Sequence, residues 1–125
     1  MIQTISTDKA PKALGPYSQA ILANGFVFLS GQIAIDPQNN QFAGGSIEEQ
    51  TKQVLNNLSC VLQSVGSNLN KALKTTVFLK NLTDFEAMNK VYAEYFPDHK
   101  PARATVEVAA LPKGALVEIE MIALA

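Results

Sequence analysis

Of the ten basic side chains in this sequence nine are lysine and one is arginine, Arg103. Its setting sets it apart, because it lies between two alanines in the strand-like run Ala102–Leu111 instead of on a solvated helix face. A guanidinium is planar and permanently charged, and it can hold a carboxylate through two parallel hydrogen bonds where an ammonium offers a point charge. Arg103 is therefore a candidate anchor for a small carboxylate. The competing reading is an ordinary cross-strand ion pair with Glu118 or Glu120. Period-2 alternation puts both glutamates on the Arg103 side, with the register between them open. A carboxylate beside the guanidinium would stay ionised. It could then order or deprotonate a water, or simply pair with the arginine.

Weaker candidates surround this pair. Gly15-Pro16-Tyr17-Ser18 is a turn that releases a tyrosine beside the first hairpin. Ser30-Gly31-Gln32 closes a strand where glycine lets a ligand approach the backbone, or simply makes a turn. Asn89 falls on the apolar face of a predicted helix, one turn after Phe85, so its amide must meet a backbone partner or a ligand. His99 lies in the polar loop Pro97-Asp98-His99-Lys100-Pro101 and is expected to be solvated. As the only histidine it excludes a two-histidine ribonuclease mechanism and a histidine-rich metal site. Cys60, the only cysteine, sits mid-helix off the apolar stripe and excludes multi-cysteine metal sites and an internal disulfide. There is no glycine-rich phosphate loop and no Gly-x-Ser-x-Gly elbow.

Composition narrows the classes further. A chain of 125 residues with 47% hydrophobic content is one domain, able to bury about two-thirds of its unfolded surface without a staple. A net charge of −1 leaves no basic surplus for a phosphate backbone, so nucleic acid is not an expected partner. The first residues do not read as a signal peptide and no apolar run spans a membrane, so a cytoplasmic protein is expected.

The elements that must hold these residues follow from patterning. Gln19–Ala23 and Phe26–Ser30 flank Asn24-Gly25, whose two positions favour the positive φ of a hairpin turn. Ser46 with Glu49 forms a capping box. Ile47, Val54, Leu55, Leu58, Val61, Leu62 and Val65 then recur at helical spacing, and Gly66 stops the run. Leu73–Leu79 is a strand. Thr83 with Glu86 predicts a second capping box, for a helix whose inner face is Phe85, Met88, Tyr92, Tyr95 and Phe96, ended by Pro97. Ala102–Leu111 and Leu116–Ala125 read as two strands joined at Pro112-Lys113-Gly114.

In this reading Ala102, Ala104, Val106, Val108 and Ala110, with Val117, Ile119, Met121 and Ala123, lie under the two helices. Arg103, Thr105, Glu107, Glu118, Glu120, Ile122 and Leu124 form the other row. Two helices cover one face of such a sheet, so a mixed, partly apolar face is left bare and an oligomer is expected.

Six spaced segments together resemble one known family. They are Gly15-Pro16-Tyr17-Ser18-Gln19-Ala20, Ser30-Gly31-Gln32-Ile33, Lys74–Leu79, Asn89-Lys90-Val91-Tyr92, Pro101–Val108, and Leu111-Pro112-Lys113-Gly114 leading to Val117-Glu118-Ile119-Glu120. In this order, from near residue 5 to the C-terminus, they resemble the RidA family of enamine/imine deaminases. The resemblance implies an α+β, chorismate-mutase-like fold over residues 1–125: a six-stranded mixed sheet with two helices on one face. It further implies a homotrimer with a barrel-like centre and three ligand sites at subunit interfaces.

The implied reaction is cofactor-free and metal-free hydrolysis of 2-iminobutanoate and 2-iminopropanoate to 2-keto acids and ammonia. Arg103 matches the family's carboxylate anchor and Glu118 its water-orienting glutamate. Tyr17, Ser30, Gly31 and Asn89 match positions lining the site. Thr105 stands where many members have cysteine, which removes a thiol nucleophile and leaves its backbone N–H for the substrate. Two rivals stand beside it: a 2-keto-acid-binding regulatory trimer that uses the same cleft without chemistry, and an endoribonuclease. The net charge and the lone His99 argue against the second.

Overall fold

The computed structural model describes residues 1–125. Its first strand, β1 (Gln3–Ile5), pairs antiparallel with β2 (Ala20–Ala23), and β2 pairs with β3 (Phe26–Gln32). Asn24 and Gly25 make the β2–β3 turn with φ of 51° and 80°, the backbone that Asn-Gly tolerates and that matches strand twist. A small separate pair follows, β4 (Ile35–Asp36) with β5 (Gln41–Phe42).

The first helix, α1 (Ile47–Gln63), starts on the expected capping box. Ser46 Oγ accepts from the Glu49 N–H at 3.1 Å, and Glu49 Oε1 accepts from the Ser46 N–H at 3.2 Å. Its apolar stripe is buried against the sheet, with Val54, Leu55, Leu58, Val61 and Leu62 fully inaccessible. Each such side chain contributes about 1.5–3 kcal/mol of transfer free energy. Cys60 is half-buried and packs at the rim of this core, closer to the stripe than its helical phase suggested.

The second capping box does not form. A short 3₁₀ turn, Leu82–Asp84, precedes α2 (Phe85–Tyr95), and neither Thr83 nor Asp84 caps it with a side chain. The Leu82 N–H is instead held by Glu107 Oε1 at 2.8 Å, so a distant carboxylate serves a donor of this turn. The inner face is otherwise as expected: Met88, Tyr92 and Phe96 are buried, Phe85 and Tyr95 half-buried.

The sheet corrects the sequence reading in its last third. Strands β6 (Ala72–Leu79), β7 (Ala102–Glu107) and β8 (Val117–Leu124) complete the order β1-β2-β3-β8-β6-β7. β7 and β8 are therefore not a hairpin. β6 lies between them, antiparallel to β8 and parallel to β7, and α2 makes the crossover that a parallel pair requires. This reverses the faces of β7. Thr75 pairs with Arg103 and Val77 with Thr105, while Thr75 pairs also with Met121 and Val77 with Ile119. Thr75, Val77, Ile119 and Met121 are buried beneath the helices, so Arg103 and Thr105 share their side. Ala102, Ala104 and Val106 face outward with Glu118, Glu120 and Ile122.

The uncovered face is partly apolar, as expected. Phe26, Phe28, Leu73, Val106 and Leu124 are among the large hydrophobic side chains left exposed. No helix is long and apolar enough to cross a membrane.

Candidate active site

Arg103 stands on the edge strand β7, but its side chain runs beneath α2. Nη1 donates to Asn89 Oδ1 at 2.7 Å. Cζ lies 4.7 Å from the centre of the Tyr92 ring and 5.5 Å from that of Phe85. These three residues are spaced i, i+4, i+7 along α2, so one face of the helix presents them together. The cation thus rests on aromatic faces and a neutral amide oxygen. Asn89 was expected to need a backbone partner or a ligand, and its partner is the guanidinium. Glu107, on the same side, is engaged with the Leu82 N–H.

Thr105 follows two residues later on this side, with its hydroxyl oxygen buried and without a hydrogen-bond partner. His99 is half-buried, not solvated as its loop suggested: Nε2 meets the Ala72 carbonyl at 2.6 Å. Since a carbonyl can only accept, Nε2 carries the proton.

Glu118 lies on the other face, opposite Phe78 in register, and Glu120 opposite Thr76. The expectation that both glutamates share a side with Arg103 fails, because it assumed a β7–β8 hairpin. Glu118 lines a cleft of about 650 Å³ together with Tyr17, Ser30, Gly31, Gln32 and Lys113. Desolvation in this cleft, and then the charge of Glu120, push its carboxyl above the ordinary 4.5. This is the opposite of the lowering expected beside a cation.

The cleft owes its shape to a break in pairing. Between β3 and β8 the register goes from Leu29↔Met121 to Gln32↔Ile119, so β3 carries one more residue than its partner there. That bulge falls on Ser30 and Gly31 and turns them out of the regular ladder. The Glu118 carboxylate lies directly against Gly31, where a Cβ would overlap it. Ser30 Oγ donates to the Ser18 carbonyl at 2.6 Å and so ties the Tyr17 turn to the bulge. Tyr17 itself is 54% exposed.

Sequence reasoning missed what holds this wall. Gln19, only 3% exposed, accepts from the Thr7 N–H at 2.6 Å and donates to the Thr7 and Pro11 carbonyls at 3.0 and 2.7 Å. Its amide thereby anchors the irregular segment that brings Pro11, Lys12 and Leu14 to the cleft. The available signal was a polar residue at the start of an apolar strand. Lys113 was read only as part of a turn; it has a left-handed φ of 57° at the cleft rim.

The expected residues therefore form two half-sites. Arg103, Asn89 and Thr105 lie on the helix side, and Tyr17, Ser30, Gly31 and Glu118 along the cleft. One side presents a cation held by an amide and two rings; the other holds a carboxyl whose pKa burial raises above its ordinary value. Nowhere do three or more His, Cys, Asp or Glu side chains converge to hold a metal ion.

Residues 7–125 match the family model described as endoribonuclease L-PSP. A human protein named 2-iminobutanoate/2-iminopropanoate deaminase is 45% identical, over 98% of this chain and 89% of its own. The structure of the Rid-family protein YyfA from Yersinia pestis superposes with a TM-score of 0.98 at 49% identity, covering all of both chains. That of TdcF from E. coli, with bound serine, gives 0.93 at 36% identity over 98% of each.

Proposed function

The chain belongs to the RidA family, and from that premise we propose that it hydrolyses 2-imino acids, 2-iminobutanoate and 2-iminopropanoate, to 2-keto acids and ammonia. The observation that carries the reading is the state of Arg103. It is a fixed cation, oriented by Asn89 and two rings, whose charge meets no carboxylate in these contacts. Such a group is pre-organised for the acid end of a small ligand. The deaminase name of the human relative and the amino acid bound in TdcF support the substrate class.

Arg103 and Glu118 lie on opposite faces of one sheet, so one chain cannot bring both to the same small molecule. We place the working site between copies. Arg103, Asn89 and the Thr105 backbone come from one subunit, and Tyr17, Ser30, Gly31 and Glu118 from its neighbour. A closed homotrimer would repeat this site three times, and the bare apolar face supports association.

In the reaction Arg103 fixes the substrate carboxylate and thereby aims the adjacent C=N carbon. Positioning of this kind contributes several kcal/mol (~7 or more in well-oriented systems) to lowering a barrier. Water held by Glu118, with Tyr17 and Ser30 beside it, adds through oxygen to that carbon as the C=N π pair moves to nitrogen. Glu118 accepts the water proton and returns it to the amine. The imine enters protonated, so the returned proton makes the amine an ammonium. The C–N bond then breaks with its pair going to nitrogen, and ammonia leaves. The remaining hydroxyl proton passes to Glu118 as the ketone forms and from there to the released ammonia, which restores the carboxylate. A carboxylate held beside the reacting carbon can both take and give a proton. Only water is consumed, so no cofactor or metal is invoked. A free, half-buried Cys60 suits the reducing cytoplasm as the compartment.

The family description favours a second reading, RNA cleavage. Against it stand the net charge of −1 and the tethering of the only histidine to a backbone carbonyl.

The test is trapping of 2-iminobutanoate by semicarbazide, with wild type, Arg103→Ala and Arg103→Lys. The wild type diverts the imine and lowers semicarbazone formation; a protein that only binds 2-keto acids changes nothing. Arg103→Ala should lose about 100-fold or more in kcat/KM and Arg103→Lys about tenfold, since lysine keeps charge but not the fork. Near-normal activity in Arg103→Lys would sink two-pronged anchoring. RNA cleavage surviving Arg103→Ala and extensive purification would favour the second reading.

A further inference from the structure

Tyr92 does more than fill the core. Its ring lies under the Arg103 guanidinium at 4.7 Å, and its hydroxyl meets Thr75 Oγ1 at 2.7 Å. Thr75 is fully buried and is the residue paired with Arg103 across the parallel β6–β7 ladder. Three elements thus close a circuit: β7 supplies the cation, α2 the ring, and β6 the hydroxyl that fixes the ring. Asn89, one turn earlier on α2, sets the rotation of the guanidinium from its rim.

We propose that Tyr92 is a positioning residue for carboxylate anchoring, acting through the face of its ring on Arg103 and held in register by Thr75. The proposal rests on the anchoring role assigned to Arg103 above and adds what orients it. A guanidinium on a four-bond stem loses much rotamer freedom when it clasps a carboxylate. A ring on one side and an amide on its rim remove that freedom before the ligand arrives, so less is lost on binding. The ring also leaves the outer edge of the fork free, which a carboxylate partner would occupy. Burial raises the Tyr92 pKa, with the Thr75 hydrogen bond and Arg103 opposing, so the hydroxyl stays neutral at ordinary pH and does not neutralise the cation.

The experiment uses the intact protein and 2-ketobutyrate as a stable carboxylate probe. Arg103 is the only arginine, so its Nε–Hε signal is unique in a nitrogen–proton NMR spectrum and reports the ring current of Tyr92. Tyr92→Leu should move that signal and weaken 2-ketobutyrate binding about tenfold, the size of a partly desolvated cation–π contact. KM for the imine should rise in parallel with little change in kcat. Tyr92→Phe keeps the ring, so the signal should stay near its wild-type position and binding weaken about threefold. In an Arg103→Ala background Tyr92→Leu should have no further effect on binding, which a merely structural role would not produce.

Wild-type affinity in Tyr92→Leu, or losses that add to those of Arg103→Ala, overturns the proposal. Should Tyr92→Leu not fold, Tyr92→Phe and Thr75→Val cut the hydroxyl pair from opposite ends. Both must then weaken binding by the same factor without adding, and wild-type affinity in both overturns it. If Arg103→Ala itself binds 2-ketobutyrate as the wild type does, the anchoring reading has failed and this proposal falls with it.

Discussion

At the scale of single residues the cleft depends on a side chain that is missing. Gly31 has no need of positive φ; it is required because the Glu118 carboxylate occupies the space of a Cβ. The atoms in the way are the far end of a flexible side chain, so Gly31→Ala should be accommodated by swinging Glu118 aside instead of by moving backbone. The expected outcome separates folding from function. The melting temperature should change by only a few degrees, about 1 kcal/mol or less, while kcat falls about 10- to 100-fold, part of the roughly 10²–10⁴-fold that a positioned proton-transfer group contributes. Calorimetry and the imine assay on one preparation check this. A Gly31→Ala protein with wild-type kcat would mean that the carboxylate pose against the bulge does not matter.

At the scale of elements, the segment from Thr7 to Ser18 has little regular structure and is held largely by one amide. Gln19→Leu keeps the volume but deletes one acceptor and two strong donor contacts, leaving the part-buried backbone groups of Thr7 and the buried carbonyl of Pro11 unpaired. A loss of about 2–3 kcal/mol is expected, and the freed segment should be cut by trypsin at Lys9 and Lys12 well before the core. Unchanged proteolysis would show that other contacts hold it. Sequence patterning made α1, the Asn24-Gly25 turn and the buried row of β8 legible, because each is written in local spacing. The partner of β7 was not legible. Alternation reads the same whether a strand pairs with the next one or with one left behind. It also carries the expected strand on to Leu111, whereas β7 ends at Glu107, and Pro112-Lys113-Gly114 looks like an ordinary hairpin turn. The faces of β7 misled for the same reason. An edge strand with alanines outward and arginine inward breaks the apolar-inside rule, and it is satisfied only because Phe85, Asn89 and Tyr92 cover the cation from another element. The candidate residues could be read along the chain one by one, but their division between two faces is a fact of topology.

At the scale of the whole molecule, the site proposed between subunits would make assembly a chemical requirement, with two measurable consequences. In the lone chain burial and Glu120 keep Glu118 protonated to higher pH than usual. In the proposed assembly, the Arg103 of the neighbouring copy would favour the ionised form and lower that pKa. Between the two values the separated chain carries more protons, so raising the pH through this window favours assembly and acidifying loosens it. Sedimentation on dilution at pH 5 and at pH 7.5 should show the weaker assembly at pH 5, with the difference reduced in Glu118→Gln; equal dissociation at both would remove the linkage. The second consequence is complementation. Arg103→Ala and Glu118→Gln should each be nearly inactive alone. Dissociated, mixed in equal amounts and reassembled, they should recover activity, because an interface that takes Arg103 from one parent and Glu118 from the other is intact. In a head-to-tail trimer with random mixing such an interface occurs in about a quarter of positions, so about a quarter of wild-type activity is expected. A site contained within one chain recovers none, since every chain in the mixture lacks one of the two groups.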